Sequence, residues 1–173
     1  FRAQCQFKEQ VAALPEEGTD IEKIASAVSL VKDNVVWDEK YKVFPEPVGQ
    51  VVKARSGSNA DINCLIAGCL REMGYTVDMV LVKMRSSGML LDFQPERNPY
   101  DTFILRVTGS DGSQYYLDGG SPHGYINVLP PDLLVTNARL VRPNVPGEWV
   151  DLTRLTRNGT TMTVATTLTD DLR

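Results

Sequence analysis

Between residues 56 and 75 the apolar side chains Ile62, Leu65, Ile66, Cys69, Leu70 and Met73 fall three and four apart. That spacing is one buried stripe of a helix. Ser58 or Asn59 can cap its first turn, and Asp61 places a carboxylate where the helix dipole favours one. Gly74 is suited to end it, being free to take a positive φ. Ala60, Cys64, Ala67 and Gly68 form a second face of small side chains, over which another element can pack closely. The pattern predicts a central helix buried on most sides.

Upstream, Phe7, Val11 and Leu14 share one face of a helix expected within residues 1–14, and residues 15–18 break it. Thr19 followed by Glu22 is a capping box, opening a helix whose apolar face is Ile21, Ile24, Ala25, Val28, Val31 and Val35. Trp37 is expected to close it, followed by an extended connector over 42–47 and a short helix over 48–54. Downstream the period shortens. Residues 76–85 read as a central strand, and 101–107 and 114–118 as two more, with Asp111–Gly112 as a turn signal between them. Residues 149–157 and 160–168 flank Asn158–Gly159, a strong hairpin signal. The sum is α+β, with helices first and then an antiparallel sheet packed on the central helix. Residues 1–146 are expected to form the core, and 147–173 a hairpin tail that begins a following β domain.

At 173 residues, 42% hydrophobic and 23% charged, the chain has the makings of one ordinary packed domain. A net charge of −4 speaks against nucleic acid as a partner. No apolar run approaches the roughly 20 residues of a membrane span. The chain opens FRAQC, without an initiator Met or a signal-peptide pattern, and reads as a piece of a longer protein. Cys64 and Cys69 sit five apart, about 140° around one helix, and cannot bridge each other. Cys5 lies near the beginning, so no disulfide framework is expected, and all three cysteines are expected to be reduced. One His leaves no zinc set, and no cofactor or metal is implied.

Chemistry would sit at the first turn of the central helix, where free N–H groups stabilise a thiolate or an oxyanion. A helix pair, then Gly57-Ser58-Asn59-Ala60-Asp61 opening a buried helix, then Leu70-Arg71-x-x-Gly74, then strands ending Tyr116-Leu117-Asp118, resembles the transglutaminase-like core of the papain-like superfamily. The resemblance runs over about residues 19–130. It is closest to the version placed between two β domains in large bacterial envelope proteins. It implies a Cys–His–Asp triad in active members. Here the Cys position falls on Asn59 and the His position on Thr102, while Asp118 matches its counterpart.

The resemblance therefore implies a catalytically inactive domain serving as a binding or structural module of a larger protein. Trp37, Ser58, Asn59, Thr102 and Asp118 would be its cleft residues, and an extended peptide or a glycan its ligand. Flanking β domains would be its neighbours, and the periplasm or cell envelope of a Gram-negative bacterium its location. Two alternatives stand beside it. One is a working thiol acyltransferase or peptidase built on Cys64 with His123 and Asp118; the other is a purely architectural spacer.

Overall fold

A computed structural model describes residues 4–88, 90, 99–121 and 126–155. Among the described residues four α-helices come first: α1 (Lys8–Ala12), α2 (Asp20–Asn34), α3 (Val48–Ala54) and α4 (Asn59–Glu72). Two short strands, β1 (Val36–Trp37) and β2 (Ser56–Gly57), pair in parallel beside them. Five longer strands follow: β3 (Thr76–Val82), β4 (Thr102–Thr108), β5 (Gln114–Leu117), β6 (Ala138–Arg142) and β7 (Val145–Val150). They form one sheet in the order β5-β4-β3-β6-β7, antiparallel at every pairing. The architecture is α+β.

The local signals act as their chemistry dictates. Both halves of the Thr19–Glu22 capping box form, and α2 buries Ile24, Ala27, Val28 and Val31. On α4 the cap is Ser58 rather than Asn59: its Oγ accepts from the Asp61 N–H while Asp61 reaches back to the Ser58 N–H at 2.8 Å. Every residue of α4 from Asn59 to Leu70 is buried. Gly74 takes φ +89°, and Gly112 takes φ +82° in the β4–β5 turn.

The sheet carries a core on each face. Phe103, Leu105, Val107 and Leu117 face α4 together with Val77. Val80, Val82, Ile104 and Leu140 point to the other face, which is covered by Leu129, Leu133, Val135 and Leu152. Each fully buried Leu or Ile contributes about 1.5–3 kcal/mol of transfer free energy, so the two layers hold the sheet from both sides.

Several expectations are corrected. The first helix is confined to Lys8–Ala12, because Cys5 and Phe7 are drawn into the core instead of continuing a surface helix. Helix α2 ends at Asn34, before Trp37, where the chain turns extended to pair with residues 56–57. Among the described residues the last strand is Val145–Val150, paired with β6, and a 3₁₀ turn (Leu152–Arg154) follows within the stretch 149–157 where a strand was expected. Asp151 favours that turn by accepting from the Thr153 N–H at 3.0 Å. Beyond these corrections, residues 146 and 147 both lie in β7, and the Asn158–Gly159 hairpin of the expected 147–173 tail lies outside the described residues. Among those residues no helix is long and apolar enough to cross a membrane.

Candidate functional site

The first turn of α4, the start of β4 and the end of β5 meet at one buried polar cluster. Asn59 begins the helix, and its side-chain Nδ2 donates to Thr102 Oγ1 and, at 3.2 Å, to Asp118 Oδ1. A longer contact of 3.4 Å reaches the Phe103 carbonyl. Its Oδ1 accepts from the Lys42 N–H at 3.0 Å. Asn59 and Thr102 are 0% exposed and Asp118 is 2% exposed.

Thr102 arrives there against simple strand alternation. Alternation puts Thr102 with Ile104, and Ile104 lies in the far core layer whereas Phe103 faces the helices. Thr102 is the first residue of β4, at the rim of the sheet beside the helix start. From that rim its short side chain reaches Asn59, and Asp101 is occupied elsewhere, accepting from the Met84 N–H at 2.8 Å.

Asn63 belongs to the cluster and was missed in the sequence. One turn below Asn59, it donates to the Phe103 carbonyl at 2.8 Å and to Asp118 Oδ1 at 3.1 Å. Its own carbonyl accepts from the Gly119 N–H at 2.7 Å. The available signal was the four-residue spacing from Asn59, which puts both amides on one helix face. Two amides thus grip one carboxylate oxygen. The other oxygen of Asp118, Oδ2, completes no hydrogen bond of good geometry among the described residues, although the carboxylate lies near the Gly120 backbone and the Tyr41 hydroxyl.

Burial pushes the Asp118 carboxyl up from its ordinary pKa; hydrogen bonds from Asn63, Asn59 and Gly120 and the charge of Lys32 oppose the shift. Burial likewise lowers Lys32, against the pull of Asp118, and its ammonium donates to the Ser121 carbonyl. The Tyr41 hydroxyl is pushed up by burial and by the nearby Asp118 charge. The cluster holds a carboxylate shut off from solvent and gripped mainly through one oxygen, with a cation close by.

A roof closes over the cluster. The Asn59 N–H, a candidate oxyanion donor, is taken by the Lys40 carbonyl at 3.0 Å. Asp61 accepts from the Glu46 N–H at 2.6 Å, pinning the connector 38–47 across the helix start. Trp37 donates to the same Lys40 carbonyl at 3.1 Å and meets the Tyr41 ring edge-on, with centroids 5.4 Å apart. A Cβ on Gly120 would lie 2.8 Å from Asn59 Cβ and 3.3 Å from the Trp37 ring, so only glycine lets these parts close. Ser58 has no free role, since its hydroxyl is held by Asp61 at 2.7 Å. Trp37, Ser58, Asn59, Thr102 and Asp118 are thus gathered, but the polar layer itself is enclosed. A surface hollow of about 830 Å³ lies at the far end of α4, lined by Lys8, Asp20, Lys23, Tyr75 and Ser110 among others.

The alternative thiol is poorly placed. Cys64 is buried, and burial, with the Asp61 charge adding, pushes its thiol up to about 12. At neutral pH such a group is protonated and unreactive. His123 lies outside the described residues.

No family model matches the chain, and no curated protein matches it. Among solved structures it is similar to a crystal structure described as that of a "putative protease" from Parabacteroides distasonis. The two share 15% identity at a TM-score of 0.54, over 86% of this chain. The likeness concerns the fold, and the chain spans 28% of the length of that protein.

Proposed function

We propose that this chain is a transglutaminase-like core whose nucleophile and base positions are occupied by Asn59 and Thr102. It acts without catalysis, as a structural or binding module of a larger envelope protein. The observation that carries the reading is the Asn59 amide, buried at the first turn of the central helix and bonded at once to Thr102 and Asp118. A Cys, a His and an Asp at these three positions would have nucleophile, base and orienting carboxylate in sequence. As they stand, an amide and a hydroxyl supply neither a nucleophile nor a base near neutral pH. The similar fold of a protein described as a protease agrees with that ancestry.

The enclosure of the layer favours a structural role over a ligand lodged on Asn59 itself. An extended peptide or glycan would instead lie outside it, on the Trp37–Tyr41 roof. The test is to rebuild the chemistry with Asn59→Cys and Thr102→His together. The thiol so introduced on α4 is expected to be ionised already at pH 6, seen as a thiolate ultraviolet absorbance that the parent chain lacks at that pH, a readout that does not need a reagent to enter the enclosed layer. Its lowered pKa should depend on Asp118, and Asp118→Ala in that background should abolish it. A rebuilt thiol with an ordinary pKa near 8.5 would falsify the reading.

A further inference from the structure

The geometry points to Cys5 and Cys69 as a thiol pair that closes to a disulfide when a small disulfide such as oxidised glutathione supplies the oxidising equivalents. Closure staples the chain's entry segment to the central helix. This inference is independent of the proposed function, since it concerns the opposite end of α4. Both cysteines are free, with the Cys5 thiol donating to Cys69 Sγ at 3.9 Å across 64 residues of sequence. A disulfide needs about 2.05 Å, so the two sulfurs already stand in contact and must close by roughly 2 Å to bond.

A second observation fixes why the two meet. A Cβ on Gly68 would lie 2.8 Å from the Gln4 carbonyl oxygen and 3.0 Å from the Cys5 nitrogen. The entry segment's backbone therefore rests directly on α4 at its one glycine. The Lys8–Glu72 ion pair at 3.6 Å and the buried side chains of Phe7 and Val11 hold the segment beyond that point. Cys5 is thereby parked over Cys69, while Cys64 points elsewhere around the helix.

Access is unequal. A hollow of about 420 Å³, lined by Gln4, Cys5, Lys8, Gly68, Arg71 and Glu72, opens beside Cys5. Cys5 is buried but keeps 9% of its surface exposed, whereas Cys69 is 0% exposed. Cys5 thus reacts first: it gives its proton to solvent, and its thiolate attacks one sulfur of oxidised glutathione. The glutathione S–S bond breaks, a mixed disulfide forms and one glutathione thiolate leaves and is protonated. Cys69, once deprotonated, attacks the Cys5 sulfur and expels the second glutathione. Two protein thiols and one glutathione disulfide become one protein disulfide and two glutathione thiols. Burial raises the Cys69 thiol to about 12, so the second step quickens as the pH rises.

The experiment treats the folded full chain with oxidised glutathione at pH 8, quenches it in acid and maps its peptides without reduction. A peptide linking Cys5 to Cys69 is expected, with a mass loss of roughly 2 Da for the two hydrogens removed. The bond should be reversed by dithiothreitol, retained in Cys64→Ser and lost in Cys5→Ser and Cys69→Ser. Gly68→Ala keeps all three thiols but lifts the segment, and should slow closure at least tenfold. The oxidised form should melt about 10 °C higher, as expected for closing a loop of this size. A stable glutathione adduct on Cys5, a dimer through Cys5, or three alkylatable thiols after denaturation would each overturn the proposal. The wild-type peptide map decides even if a variant fails to fold.

Discussion

Asn63 donates to Asp118 Oδ1 at 3.1 Å, and that oxygen is the one that also accepts from Asn59. The polar cluster is therefore held from below as well as from the helix start, by a residue other than Asn59, Thr102 and Asp118. Asn63→Ala removes the bonds to the Phe103 carbonyl, to Asp118 and from the Gly119 N–H, taking one partner from each of three groups around the buried cluster. It should cost about 3 kcal/mol or more, read as a lower urea midpoint at unchanged slope. A loss under about 1 kcal/mol, the net worth of a single ordinary hydrogen bond, would mean that the cluster does not hold the fold.

Gly119 and Gly120 are expected to tolerate no side chain. A Cβ on Gly119 would sit 2.5 Å from Ile62 Cγ2 and one on Gly120 2.8 Å from Asn59 Cβ. Each alanine variant should lose roughly 1–3 kcal/mol by overpacking, while Gly49→Ala, which meets nothing within 4 Å, should be neutral or stabilising. Thermal melts of the three variants side by side check this.

What the sequence disclosed followed from local chemistry. The Thr19–Glu22 box, the stripe and cap of α4, and the helix over 48–54 depend on neighbours three or four residues away, and the structure has them. What stayed hidden depends on distant partners. The two-residue pairing of Val36–Trp37 with Ser56–Gly57 has no period to read. Strand β6 carries the exposed Val141 on its outer side, which blurs its alternation, and Cys5 and Phe7 leave the surface because Gly68 lets the chain settle there. Thr102 shows the same limit at the site, since alternation assigns it a face and its place at the rim lets it reach another. Asn63 looked like one polar residue in an apolar helix. Only the carboxylate brought by β5 gives it a partner.

The thiols should be silent near neutral pH. Burial first of all raises both Cys64 and Cys69 to about 12. Neither should react with Ellman's reagent at pH 7 on the timescale of an exposed thiol, and both should do so in denaturant. The same shifts set the alkaline limit. Their folded pKa lies above the unfolded value near 8.5, so stability is intact below that value and falls as the pH rises through the window up to about 12. Replacing both by Ala should flatten that fall, as seen in denaturation curves at about pH 8 to 11.

Asp118 has the same sign at lower pH. Its folded pKa is raised, chiefly by burial, so the folded form holds the proton more tightly than the unfolded chain. Stability is then greatest below about 4 on this account and declines as the pH rises through the folded pKa. Asp20, Glu22, Asp111 and Asp151 are lowered and act oppositely, so the signal is the difference between parent and variant. Asp118→Asn keeps an acceptor for Asn59 and Asn63 and removes the buried charge. It should match or exceed the parent by about 1 kcal/mol at pH 7, with the gap closing toward pH 4. Asp118→Ala, which takes one acceptor from each of the two amides and leaves a cavity, should be destabilised at every pH.

A charge swap tests the cluster most severely. Asn59→Asp keeps size and the acceptor for the Lys42 N–H, but puts a carboxylate where an amide now donates to Asp118 at 3.2 Å. Two carboxylates at that distance in a buried layer cannot both ionise, so the pair must hold a shared proton at neutral pH. The pair's folded pKa is then raised above the unfolded value. Stability should be near parental at pH 4, and about 3 kcal/mol or more should be lost at pH 7. Adding Asp118→Asn to Asn59→Asp moves the single charge across the contact and restores an amide to donate to it. Asn63 can still donate to the new amide's carbonyl. The double variant should therefore recover most of the loss at pH 7, giving a coupling energy of about 2 kcal/mol in the double-mutant cycle. Additive losses would show that the two side chains do not share the contact on which the proposed ancestry rests.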